Sequence, residues 1–326
     1  MAQEPDTGED DGLEVLHLAL SDLRRKIRSR SSTHSEPPVS NEGLVDFDWQ
    51  SAFDELRRRF GALGMVERSA EVDEFGMDDA SLERSRVLLD FLMDRYWRTT
   101  VSGLDTVASG GPNLFVANRS GLLPYDGLML CHAIERWHPT RDRPRFLVAD
   151  WLMALPFAQP YLSRLGGVRA CRENADRLLR TGHSVIAFPE GMTAATKIFA
   201  ERYRLKRFGR GGVIRAAVEN RVPIVPVGIV GAEEAQPILF KADLPAREIG
   251  LPFVPVTPTF PLLGPLGLLP LPTKWIIRVG EAIPPDDLDP RALDDELLLS
   301  RLTEEVRERI QELVSEALRH RTSAWG

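Results

Sequence analysis

A chain of 326 residues that is 43% hydrophobic can bury a substantial core, as one large domain or two small ones. Its net charge of −7 argues against a nucleic-acid partner, because phosphate-rich partners are met by Lys and Arg clustered on a basic face. The two cysteines, Cys131 and Cys171, share no repeated spacing, which excludes a disulfide scaffold and fits a reducing, cytoplasmic setting.

The first residues lack the basic and then apolar run of a secretory signal, so the chain is expected to start in the cytosol. Residues 1–43 read as disordered or linker, with one amphipathic helix built on Leu13, Leu16, Leu20, Leu23 and Ile27. That helix suits a membrane surface or a partner, or docks on the domain. Residues 44–320 read as one α/β domain. Trp49, Phe53, Leu56, Phe60 and Leu63, then Val87, Leu88, Phe91 and Leu92, mark two further helices whose stripes are expected to face the core.

Strand and helix then alternate. Strands are expected over Arg98 to Ser102, Leu114 to Ala117, Arg145 to Ala149, Ser184 to Phe188, Pro223 to Val227 and Trp275 to Val279. Helices are expected over Leu128 to Trp137, Trp151 to Leu165 with a kink at Pro156, and Gly212 to Asn220. Short apolar runs separated by helices predict a largely parallel sheet covered on both faces. The run Leu299, Leu302, Val306, Ile310, Leu313 and Ala317 predicts a closing amphipathic helix, solvated on its other side. Residues 249–273 carry no charge, but seven prolines between Pro252 and Pro272 argue against a membrane-spanning helix. That segment packs as a loop or supplies an exposed apolar patch through Phe253, Phe260, Leu262, Leu263, Leu266, Leu268 and Leu269.

Chemistry concentrates in four segments. They are Asn118-Arg119-Ser120-Gly121-Leu122-Leu123-Pro124-Tyr125-Asp126, the stretch Gly166 to Asn174, the turn Phe188-Pro189-Glu190-Gly191, and Val222 to Val227. An open parallel sheet places its site at the carboxyl ends of strands, where these segments are expected. No dinucleotide loop, Walker loop or complete nucleophile elbow is present, and the six histidines have no metal-ligand spacing.

In this order the four segments resemble the four blocks of the phospholipid and glycerol acyltransferase family. Lys197, Tyr203 to Gly212 and Val227 to Glu234 are similar to its lysophospholipid or diacylglycerol acyltransferase-like subgroup. The resemblance implies transfer of a fatty acyl group from acyl-CoA or acyl carrier protein to a glycerol-based (lyso)phospholipid or acylglycerol, with no other cofactor and no metal. It also implies a peripheral position on the cytoplasmic membrane face. It assigns Arg119, Asp126 and Glu190 to the catalytic turn region, and Asn118, Ser120, Arg172, Gly191 and Lys197 to substrate binding. Arg172 is expected to hold an acceptor phosphate, or else to form a surface ion pair with Glu173 or Asp176. Glu190 helps place the acceptor or is a structural carboxylate. Lys206, Arg207 and Arg210 are further cations for a phosphate, or ordinary solvated ones.

One position departs from the family. The block that normally reads Asn-His has Arg119 where the base His belongs, and six residues separate it from Asp126. A guanidinium never becomes a neutral base at working pH. Three expectations follow: an impaired, acyl-binding member with Arg119 paired to Asp126; a transferase whose base is the substrate phosphate, Glu190 or His132; or Ser120 as a nucleophile. His183, at the far end of its strand, is a poor candidate.

Overall fold

The strands form where short runs are apolar throughout, since a strand covered on both faces has no polar side to show. In the computed structural model, β1 is Thr100–Ser102, β2 Leu114–Ala117, β3 Arg145–Val148, β4 Gly167–Arg169, β5 Val185–Ala187, β6 Ile224–Val230, β7 Phe240–Ala242, β8 Val254–Val256 and β9 Ile276–Val279. Every residue of β2, β5 and β6 is buried. Residues 72–121, 123–140, 142–154, 158–242 and 253–325 are described; the expected helices at 13–27 and 49–63 and the boundary at 43 lie outside them.

Seven strands make one sheet in the order β1-β9-β6-β2-β5-β3-β4. From β6 to β4 all neighbours are parallel, whereas β9 runs antiparallel to β6 and carries β1 parallel to itself. The largely parallel sheet expected from the alternation is therefore present, with two reversed strands at one edge. β7 and β8 pair separately, antiparallel.

The helices are α1 Asp79–Phe91, α2 Tyr125–Trp137, α3 Asp150–Met153, α4 Ala158–Arg164, α5 Arg172–Arg180, α6 Met192–Ala195, α7 Gly212–Asn220, α8 Ala232–Ala235 and α9 Glu296–His320. They cover both faces. Side chains alternate along the strands, so Phe115, Val225, Val227 and Ile229 join the core under α1, α2 and α4. Leu114, Val116, Ile224 and Val230 join the core under α5, α7 and α9. On β6 the second face offers only Pro226 and Gly228 at mid-strand, and a Cβ added at Gly228 would lie 2.9 Å from Leu313 Cβ. Small residues there let α9 lie directly on the strand.

Three expectations are corrected. The helix drawn from Trp151 to Leu165 is two separate helices, α3 and α4. The first strand begins at Thr100, because Arg98 has a left-handed φ of 46°. Val87 is exposed, and the buried face of α1 is Leu82, Ser85, Leu88, Leu89 and Phe91. The uncharged segment has both of its proposed characters: Phe253 is 1% exposed, while Leu262 is 85% and Leu263 59% exposed, with Leu266 and Leu269 also outward. Its end is fastened, since Tyr96 Oη donates to Pro270 O at 2.6 Å and Trp97 Nε1 to Leu271 O at 3.1 Å.

Candidate active site

The turn after β2 is held by its own polar side chains. Asn118, fully buried, donates from Nδ2 to Ile229 O (2.9 Å) and accepts at Oδ1 from Ile229 N–H (2.7 Å), tying the end of β2 to β6. Asp126 reaches back from the first turn of α2. Its Oδ2 accepts from the Ser120 N–H (2.9 Å) and hydroxyl (3.2 Å), and Oδ1 from Gly127 N–H (2.8 Å). Burial pushes the Asp126 carboxyl up, while the Arg119 charge and these hydrogen bonds pull the other way. Arg119 is buried, with its guanidinium carbon 5.8 Å from the Phe188 ring centroid.

Glu190 follows β5 and is buried beneath the same turn. Oε1 accepts from Arg119 N–H (3.0 Å) and Oε2 from Lys206 N–H (2.6 Å). Lys197 Nζ lies 3.4 Å from Glu190 Oε2 and donates to Glu233 Oε1 at 2.8 Å, and Glu233 Oε2 accepts from Tyr203 N–H at 2.8 Å. Desolvation raises the Glu233 carboxyl against the pull of Lys197. These groups form one buried ionic chain fastening the turn to residues 197–206 and α8. Lys197 and Asn118, expected to bind substrate, are thus occupied by protein partners, as is Ser120, whose hydroxyl is turned onto Asp126. Gly191, at φ 56° and ψ −138°, takes a turn that a side chain resists, and a Cβ there would meet nothing within 4 Å.

Beside this turn opens a cavity of about 330 Å³ that runs along the sheet face under α5, α7 and α9. Its walls include Leu114, Leu147, Phe188, Phe208, Ile214 and Val306. The charged residues lining it are Arg119, Arg172 and Arg210, and among its described lining residues there is no carboxylate or imidazole. Arg172 is half exposed, lines the cavity, and is paired with Glu219 across to α7 and with Asp176 at 3.6 Å, the latter one of the two expected surface partners. Arg169 is turned away onto Asp150.

Of the four segments, three end at the carboxyl edge of the sheet. The fourth, Val222 to Val227, is instead the start of β6, and its contribution comes from Ile229 further on. His132 is no base for this turn: it lies against Asp90 at 2.8 Å, and burial lowers its pKa. Both Glu190 oxygens are occupied, which removes it from the same role. The residues not anticipated are Glu219 and Thr303, whereas Phe208 and Glu233 lie within the stretches Tyr203 to Gly212 and Val227 to Glu234, and Val306 within the apolar period of α9. Among the described residues no group of three His, Cys, Asp or Glu is arranged for a metal, and no helix is long and apolar enough to cross a membrane.

A mainly parallel α/β sheet with a buried Asn-to-Asp turn, a Pro-Glu-Gly turn and an apolar, arginine-lined cavity is an arrangement suited to binding an acyl chain next to an anionic group. The family model described as Acyltransferase matches residues 98–230. Uncharacterized proteins of Mycobacterium tuberculosis and Mycobacterium leprae are 44% and 45% identical over 242 residues, covering 74% of this chain and 68% and 66% of theirs. The 1-acyl-sn-glycerophosphate acyltransferase PlsC from Thermotoga maritima superposes with a TM-score of 0.48 at 19% identity, over 84% of this chain and 90% of that one. This chain belongs to the acyltransferase family.

Proposed function

We propose that this chain moves a fatty acyl group from a thioester, acyl-CoA or acyl carrier protein, to the hydroxyl of a glycerol-based (lyso)phospholipid or acylglycerol. The cavity carries the reading: its apolar walls suit an acyl chain, and Arg119, Arg172 and Arg210 suit the anionic part of such a lipid or of the donor. Arg119, at the position of the family's base and lining the cavity, would stabilise the oxyanion of the tetrahedral intermediate. Catalysis then draws on positioning and electrostatics in place of a side-chain base.

Contact with a bilayer follows from a lipid acceptor. Leu262, Leu263, Leu266 and Leu269 point outward, and Leu269 and Leu271 share a small hollow with Leu123 of the turn, so the apolar patch adjoins the site. A peripheral, cytoplasmic-face association is part of this proposal.

A second reading is favoured by Arg119 itself. A residue that never takes a proton suits a protein that binds acyl lipids or acyl thioesters without turnover. Radiolabelled acyl-CoA with lysophosphatidate, monoacylglycerol and diacylglycerol separates the two. Turnover by the parent supports transfer, whereas saturable binding with turnover only in Arg119→His supports the binding protein.

A further inference from the structure

We infer that the base for this transfer arrives with the acceptor, as a phosphate monoester neighbouring the attacking hydroxyl. The inference rests on the acyl-transfer reading and narrows its acceptor class.

The described carboxylates and imidazoles near the site are engaged elsewhere, Glu219 and Asp176 with Arg172. Asp126 accepts three hydrogen bonds from Ser120 and Gly127. Glu190 accepts two from backbone N–H groups with Lys197 beside it, and neither carboxylate lines the cavity. Of the described histidines, His132 faces Asp90, His138 lies against Thr140 and Val107 O, His183 precedes β5 at the opposite edge of the sheet, and His320 ends α9. What the cavity does present is three guanidiniums, of which Arg172 also pairs with Glu219 and Asp176, beside the Cys171 thiol and with no carboxylate or imidazole among its described lining residues. Such groups hold a phosphate in bidentate fashion and cannot take a proton.

A phosphate monoester, whose second pKa is about 6, is largely dianionic at neutral pH and is a competent base. In a 1-acylglycerol 3-phosphate it sits on the carbon next to the one bearing the hydroxyl, so the proton transfer is intramolecular. The hydroxyl oxygen bonds to the thioester carbonyl carbon while its proton passes to a phosphate oxygen. Arg119 faces the oxyanion. Collapse breaks the carbon–sulfur bond, the phosphate returns the proton to sulfur, and the products are the ester and the free thiol.

The full chain, assayed with radiolabelled acyl-CoA, would be offered 1-acylglycerol 3-phosphate, its thiophosphate analogue and 1-acylglycerol. Expected is turnover of the first two, a kcat at least about 100-fold lower for 1-acylglycerol, and an acid limb of kcat displaced to lower pH for the more acidic thiophosphate. Comparable kcat with 1-acylglycerol, or an acid limb that stays fixed between the two phosphorylated acceptors, overturns the inference and leaves acyl transfer standing. Absence of turnover with all three overturns both.

Discussion

Asn118 uses its whole amide on the backbone of Ile229, and this makes it a test of the turn's integrity. Asn118→Leu leaves a buried N–H and a buried carbonyl without that partner, at a cost of about 1–3 kcal/mol for each, read as a fall in Tm. The ionic chain behaves differently. Lys197→Met strands Glu233 and Glu190 and should cost about 3–5 kcal/mol, while Lys197→Met combined with Glu233→Gln should recover part of the loss in chemical denaturation. His132 gives a pH signature. Its native pKa lies below the ordinary value of about 6.5, so the unfolded chain binds more protons between the two and stability rises with pH across that window. Melting curves from pH 5 to 7.5 should show this rise in the parent and a shallower one in His132→Gln. Residue types at the turn were legible from the sequence, since Asn118, Asp126, Glu190 and Gly191 stand in recognisable blocks. Their partners were not: the distances from Asn118 to Ile229 and from Lys197 to Glu233 are closed by the fold, and nothing local announces them.

At the scale of elements, uniformly apolar runs revealed β2, β5 and β6, because burial on both faces leaves a simple signal. The reversed direction of β9 and β1 left no mark, since pairing sense is set by the connection and the edge it reaches. Val87 misled because hydrophobicity at helical spacing does not say which flank of the stripe meets the sheet. The contact of α9 with β6 at Gly228 is equally invisible in either segment alone. Gly228→Val should force α9 off the strand, destabilising by about 1–3 kcal/mol, measured by urea unfolding. For the uncharged loop, exposure decides. Leu262→Ser with Leu263→Ser is expected to weaken flotation with liposomes while leaving Tm unchanged, and a parent chain that never floats would remove the membrane contact from the proposal.

Across the whole molecule the net charge is −7, while the charged lining of the cavity is cationic. Long-range repulsion of an anionic ligand is screened within about 10 Å at 0.1 M salt, while the guanidiniums act at contact. Affinity for acyl-CoA is therefore expected to fall as salt rises, as local attraction outweighs the distant field; titration calorimetry at several salt concentrations measures the sign. The family was readable from four short blocks, yet the shape of the cavity was not, because its far wall comes from a helix outside those blocks.

That wall has a consequence for how the protein is made. All four blocks leave the ribosome before Glu296–His320, so the sheet face carrying Val116, Ile224 and Val230 has α5 and α7 over it but waits for α9 to complete its cover. A nascent chain interrupted there would contain each recognisable block and still hold no closed pocket, only an apolar surface for chaperones to grip.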